Sequence, residues 1–260
     1  MRRRTFWLLL CLFLGVACFS GYQVLRTLGE YRAGETAYSE LEQFVTLPSA
    51  PDETVPAEIE ETPAEPAWPE VDFAELAAVN PDVVAWLYGP DTGISYPVVQ
   101  GEDNDYYLDH LFDGTANGAG CLFVDAACQP DLSGRNTVIY GHRMKNGTMF
   151  GPLMDFQDND YLKEHSIVTF DTMYRPGTYK IFASFQSKAY DPDSEEFKYY
   201  AFINAETAYD FDEYLNNIKN LSLYYDEENA PSFGDEIITL STCDYYTTDG
   251  RFAVLAKRIK

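Results

Sequence analysis

Positive charge is missing from a long stretch of this chain. No Lys or Arg stands between Arg32 and Arg135, and the 260 residues carry 18 basic against 42 acidic side chains, a formal net charge of −24. Such a surface repels polyanions, which excludes nucleic acid and anionic lipid headgroups as partners held through a basic patch. Cysteine is scarce too. Five do not make a disulfide scaffold at this length and none forms a C-x-x-C pair, so no metal site is expected. No acidic cluster has the ligand spacing of a calcium loop, no internal repeat is visible, and no cofactor is expected. What remains is 46% hydrophobic and 15% aromatic, enough to bury a sizeable core.

The chain opens with Arg2, Arg3 and Arg4 and then carries no charge from Thr5 to Leu25. Those 21 residues, at about 1.5 Å of rise each, span roughly 30 Å, one hydrocarbon thickness. The arginines mark the cytoplasmic side, which predicts residues 1–26 as a single-span anchor in the lipid bilayer at the cell membrane, with the rest of the chain outside. Two other readings stay open: a cleaved signal peptide, with Cys18 and Ser20 before the cut, and a lipoprotein, with Gly15, Val16 and Ala17 before Cys18. From Gly21 to Phe44 the mixed pattern suits a helix leaving the membrane. Pro48 to Glu70 holds six prolines, seven acidic residues and no base. Such a segment cannot bury enough apolar surface to offset its ordering entropy, so residues 27–70 read as an extracellular stalk with an acidic, Pro-rich spacer.

Residues 71–260 read as one domain. Phe73, Leu76 and Ala77 sit at helical spacing, Asn80-Pro81 breaks that helix, and Asp82 to Leu87 is expected as a second short helix. From Ile94 the pattern changes to short β-branched and aromatic runs between Gly, Asn and Asp: 94–99, 120–125, 137–140, 166–170, 178–189, 237–240 and 252–259. Strands so spaced predict a mainly β, α+β domain built on a sandwich or barrel. One helix interrupts them, capped by Asn204, with Phe211, Tyr214, Leu215 and Ile218 on one face. Cys121 and Cys128 are near enough in sequence to bridge in an oxidising exterior, although a free cysteine is commonly a small buried hydrophobe.

Chemistry concentrates in Asp235 to Val254. A strand, Ile237 to Leu240, leads to Cys243; a polar turn follows; a second strand returns with Arg251 at its mouth. A free thiol, with a pKa of about 8.5, is only a few per cent thiolate at neutral pH and needs a cation or an imidazole beside it. Of the three histidines, His142 ends a similar strand, Asn136 to Tyr140, whereas His110 and His165 lie among charged and polar neighbours. His142 is therefore the preferred partner. T-L-S-T-C with Arg251 downstream and N-T-V-I-Y-G-H upstream resembles the sortases, cysteine transpeptidases of the Gram-positive cell surface. N-P-D-V-V-A-W-L (Asn80 to Leu87), Y-P-V-V-Q-G-E-D-N-D-Y-Y-L (Tyr96 to Leu108) and Y-G-H-R-M-K-N-G-T-M-F (Tyr140 to Phe150) resemble class B in particular. The likeness runs from about residue 71 to the C-terminus.

That resemblance implies a closed barrel of about eight strands, N-terminal helices, and a helix in the long connection before the cysteine strand. It also implies a reaction. Cys243 would attack the carbonyl of a threonine in the C-terminal sorting signal of a secreted protein, giving a thioacyl intermediate that a peptidoglycan cross-bridge or stem-peptide amine resolves. His142 would be the acid and base, and Arg251, always protonated, would hold the carbonyl and its oxyanion. Asn104, Leu108, Ser241 and Asp244 match substrate-groove positions of the class; their ordinary readings are a turn Asn, a core Leu and strand-end caps. Two rivals are a non-catalytic surface scaffold or adhesin on a sortase-like barrel, and a hydrolytic cysteine protease.

Overall fold

The β-branched and aromatic runs become strands of one closed sheet. A computed structural model of the chain describes residues 3–47, 68–244 and 248–260. Helix α1 (Arg3–Leu41) is followed by two short strands, β1 (Val45–Thr46) and β2 (Glu70–Val71), and by α2 (Phe73–Val79). Then come β3 (Val83–Gly89), β4 (Ile94–Val99), β5 (Leu122–Val124), β6 (Asn136–Tyr140), α3 (Asn159–Glu164), β7 (Ile167–Thr172) and β8 (Thr178–Lys188). Helix α4 (Ala208–Leu221), β9 (Ser222–Tyr225), β10 (Ile237–Asp244) and β11 (Gly250–Arg258) complete the chain. Strand neighbours run β11-β10-β6-β5-β4-β3-β7-β8, and β8 pairs back onto β11, which closes an eight-stranded mixed barrel with β9 attached to β8. Closure removes the open edges that an exposed sheet would present.

Strand periodicity divides the apolar side chains between two clusters. Ile238 and Leu240 of β10 join Phe252, Val254 and Ala256 of β11 in the main core; Ile237, Ala253 and Leu255 face the other way, onto α4. Helix α4 closes that second cluster with Phe211, Tyr214, Leu215 and Ile218. Its N-cap is Thr207, not Asn204: Thr207 and Asp210 form a capping box, each side chain meeting the other's backbone N–H.

A second expectation changes as well. The segment expected as a second short helix at Asp82 to Leu87 is strand β3. Its residues are buried on both faces (Val83, Ala85, Trp86 and Leu87), so no alternation marks it, while Val83, Val84 and Trp86 suit a pleated surface. Of the two readings open for Cys121 and Cys128, the structure has the free one, each buried as a small hydrophobe. Helix α1 runs unbroken to Leu41 and buries Tyr38 and Leu41 against the barrel core. Residues 48–67, the bulk of the acidic Pro-rich segment, lie outside the described residues. Their flanks are pinned together, Val45 opposite Val71 and Thr46 opposite Glu70, with Asp72 N–H donating to the Phe44 carbonyl at 2.8 Å. The acidic segment therefore leaves and rejoins the domain at one place, and the path from α1 to the barrel does not depend on its length.

Candidate active site

The site is built where three adjacent strands end. In β10, odd-numbered residues point away from the barrel core, which sets Ser241 and Cys243 on one outer face. Antiparallel β11 puts Arg251 directly opposite Cys243. Parallel β6 pairs Tyr140 with Ser241, so the residues after it reach the level of Cys243. Two hydrogen bonds carry the register past the strand's end: Gly141 N–H donates to the Ser241 carbonyl at 3.2 Å, and the Thr242 hydroxyl donates to the Gly141 carbonyl at 2.8 Å. Gly141 has no room for a side chain; a Cβ there would collide with Leu122 and come within 2.7 Å of the Phe150 ring. His142 follows at once.

Its imidazole is held from two sides. Nε2–H donates to the Leu108 carbonyl at 2.6 Å. A carbonyl can only accept, so this bond keeps a proton on Nε2 and leaves Nδ1 for the sulfur. The His142 ring and the Cys243 thiol share a side-chain hydrogen bond. That bond is the main cause holding the Cys243 thiol below its ordinary 9.0; the Arg251 charge adds to the effect and burial opposes it. The same bond is the main cause raising His142 above its ordinary 6.5, with desolvation pulling back and the Leu108 carbonyl supporting it. Both shifts favour a thiolate beside an imidazolium. The other barrel thiols go the opposite way, since burial pushes Cys121 up to about 12 and Cys128 up to about 11.

A cleft of about 290 Å³ opens over these groups, lined by Asn104, Leu108, His142, Ser241, Cys243 and Arg251 with Phe123, Asp125, Tyr140, Tyr199, Tyr200, Thr242 and others. Six of the seven residues that the sequence singles out therefore share one groove. The seventh, Asp244, pairs with Gly250 through its backbone, and its side chain lies outside the described residues. Leu108 offers a half-exposed side chain at the rim. Asn104 Oδ1 accepts Ala126 N–H at 2.8 Å, which leaves its Nδ2 donors for a ligand. Ser241 is only 1% exposed and its hydroxyl bonds the Tyr199 hydroxyl at 2.8 Å, so it lines the floor with its polar atom already engaged. Among the described residues, Arg251 donates from Nη1 to the Gly250 carbonyl at 3.0 Å. Among the described residues, no three metal-ligating side chains gather in one place.

Several groove residues escaped the sequence reading. Tyr199, 42 residues before Ser241, arrives from the loop between β8 and α4, and no local motif announces it. Tyr140 O–H donates to Asp125 at 2.8 Å and ties the β5 exit to β6. Tyr140 was visible only as a strand residue before the Gly-His pair.

Comparison with known proteins agrees with this geometry. Residues 87–259 match the family model described as a sortase domain. Sortase B of Listeria monocytogenes is 33% identical over 231 residues, which cover 89% of this chain and 86% of that one. Among solved structures, sortase B from B. anthracis in complex with AAEK1 superposes with a TM-score of 0.70 at 29% identity, covering 90% of this chain and 99% of that chain. A Staphylococcus aureus sortase B–substrate complex superposes with a TM-score of 0.64 at 30% identity, covering 72% of this chain and 84% of that chain.

Proposed function

This chain belongs to the sortases, class B, and is a transpeptidase of that family; from that premise we propose which bonds it breaks and makes, and which residues do so. The Cys243 thiolate attacks the carbonyl of a threonine in the C-terminal sorting signal of a secreted protein. Negative charge gathers on the carbonyl oxygen, and Arg251, opposite the sulfur, holds it. As the intermediate collapses, the C–N bond breaks and His142 protonates the departing amine, leaving a thioacyl group on Cys243. A peptidoglycan amine then gives a proton to His142 and attacks the thioester, the new amide forms, and the thiolate returns. Because Nε2 is held by Leu108, Nδ1 is the nitrogen that carries the travelling proton. Asn104 and Leu108 hold the peptide at the rim, Asp244 borders the threonine, and Ser241 acts through Tyr199 to set the floor.

The observation that supports this reading best is the meeting of thiol, imidazole and guanidinium in a single open groove. The complex of the S. aureus relative with a substrate supports a peptide in the matching groove here. Residues 1–26 serve as the membrane anchor with the N-terminus inside, and 71–260 as the catalytic domain. Helix α1 is long and apolar enough to cross a bilayer, and its side chains from Phe6 to Leu25 are exposed apart from the half-buried Leu10. A peptide library varied around a Pro-x-Thr core, incubated with and without an amine and read by mass spectrometry, tests the reaction. Cleavage after Thr with the amine joined to the new carboxyl end is expected; cleavage elsewhere, or only free acid when amine is present, overturns it.

A further inference from the structure

The last three turns of α1 grip both loops that hold the His142 imidazole. Glu30, Gly34, Tyr38 and Leu41 follow one helix face at i, i+4, i+8 and i+11. The Glu30 carbonyl accepts Asn117 Nδ2–H at 2.9 Å, and Gly34 packs so closely that a Cβ on it would lie 3.3 Å from the Ala119 Cβ. Tyr38 O–H donates to the Gly120 carbonyl at 2.5 Å. All three contacts fall on the segment from Tyr106 to Cys121, which also carries Leu108.

Gly120 transmits the grip. Its φ is +61°, and a Cβ there would lie 2.6 Å from the Tyr107 carbonyl oxygen and 2.8 Å from that of Leu108. Cys121 N–H closes the same turn on the Tyr107 carbonyl at 2.9 Å. So the Tyr38 hydroxyl holds a glycine, the glycine abuts the Leu108 carbonyl, and that carbonyl accepts the hydrogen bond from His142 Nε2–H at 2.6 Å. The second loop is held independently. Asn146 Nδ2 donates to Glu35 Oε1 at 2.8 Å, and Asn146 lies in the loop that starts at His142 and closes where Phe150 N–H donates to the His142 carbonyl at 2.9 Å.

We propose that Tyr38, with Glu35 in support, is a positioning residue for the proton transfer at Cys243, so that the helix carrying the apolar N-terminal span is also part of the catalytic apparatus. This rests on His142 being the acid and base. The acceptor at Leu108 selects the tautomer and ring tilt that present Nδ1 to the sulfur, and misplacing a proton carrier by about 1 Å costs on the order of a hundredfold in rate. Loss of the Tyr38 hydroxyl frees Gly120, lets the Leu108 carbonyl drift and weakens the His142–Cys243 bond.

The test uses the full chain in detergent micelles, with Tyr38→Phe, Glu35→Leu and Glu35→Gln. Tyr38→Phe keeps the ring and its packing; Glu35 is exposed, so its replacement leaves the fold intact; Gln keeps an oxygen for Asn146. Two readouts matter: the pH midpoint of Cys243 alkylation, and kcat against KM with a peptide and an amine. In Tyr38→Phe the alkylation midpoint moves up and kcat falls about tenfold or more with KM nearly unchanged. Glu35→Leu shows a smaller shift of the same sign, and Glu35→Gln restores it. A lowered melting temperature with midpoint and kcat both at the wild-type values overturns the proposal, as does Glu35→Leu behaving like Glu35→Gln. Should the chain turn over no peptide at all, the alkylation midpoint still decides, because it reads the His142–Cys243 bond without any substrate.

Discussion

A thiol at a strand end is a poor nucleophile until a neighbour takes its proton, and in this barrel the neighbour makes the difference. Cys121 and Cys128 sit in apolar surroundings that push them up to about 12 and about 11, whereas Cys243, itself partly buried, is held below 9.0 by His142 first and by Arg251 second. Removing the imidazole has a readable consequence. In His142→Ala the pH midpoint for alkylation of Cys243 rises, and transpeptidation falls by about 10²–10⁴-fold. Stopped-flow labelling over a pH series measures the first effect, and an unchanged midpoint contradicts it. Asp171 titrates for a different reason. It is 5% exposed, its Oδ1 accepts Gly177 N–H at 3.3 Å, its Oδ2 meets no donor among the described residues, and burial raises its carboxyl from 3.8 to about 6. A carboxyl raised on folding disfavours the folded state in its charged form, so stability is full below pH 3.8 and is lost as pH rises through about 6. Asp171→Asn is therefore expected to stabilise the protein by about 2–3 kcal/mol at pH 7 and by almost nothing at pH 4, as thermal melts at the two values report.

At the scale of elements, the site depends on two strand ends being held at one height. Gly141 is where they meet, with no space for a methyl group between Leu122 and Phe150. Gly141→Ala is expected to cost about 1–3 kcal/mol and to displace His142, lowering activity more than the stability loss explains. A melt together with the Cys243 alkylation profile separates the two effects; wild-type values in both would contradict the close packing. The strands that end at the site were legible in the sequence because each carries a run of β-branched residues bounded by turn signals, Asn136 to Tyr140 and Ile237 to Leu240. Helix α4 was legible through its stripe of Phe211, Tyr214, Leu215 and Ile218. Strand β3 was not, because burial on both faces erases the alternation that distinguishes strand from helix. The Thr207 cap lost to Asn204 on sequence alone, since both are good caps and only the partner Asp210 decides between them. Cys243, His142 and Arg251 were readable as a motif, but the residues that hold them were not. Tyr199 under Ser241, the Leu108 carbonyl on His142 and Tyr38 on Gly120 are contacts between distant segments that leave no local pattern.

For the whole molecule, the arrangement of the N-terminal third decides how the groove is carried. Helix α1 passes without a break from its exposed apolar turns to residues buried in the barrel core, so its length, and not that of the acidic segment, sets the distance between the apolar span and the groove. Residues 48–67 begin and end beside the β1–β2 pair. Replacing them with a link of about six Gly and Ser residues should leave the melting temperature and the turnover of a soluble peptide close to those of the full chain, because shortening a closed loop changes its closure entropy only slightly. A large fall in either would show that the acidic segment packs on the catalytic domain. The central claim is that Cys243 carries the acyl group between two amines. Intact-protein mass spectrometry of the chain mixed with a sorting-signal peptide and no acceptor tests it most directly. The account predicts a mass gain equal to the acyl fragment ending in Thr, located on Cys243 and discharged as an amide when an amine is added; an adduct on another residue, or Cys243→Ala turning over peptide like the wild type, would contradict it.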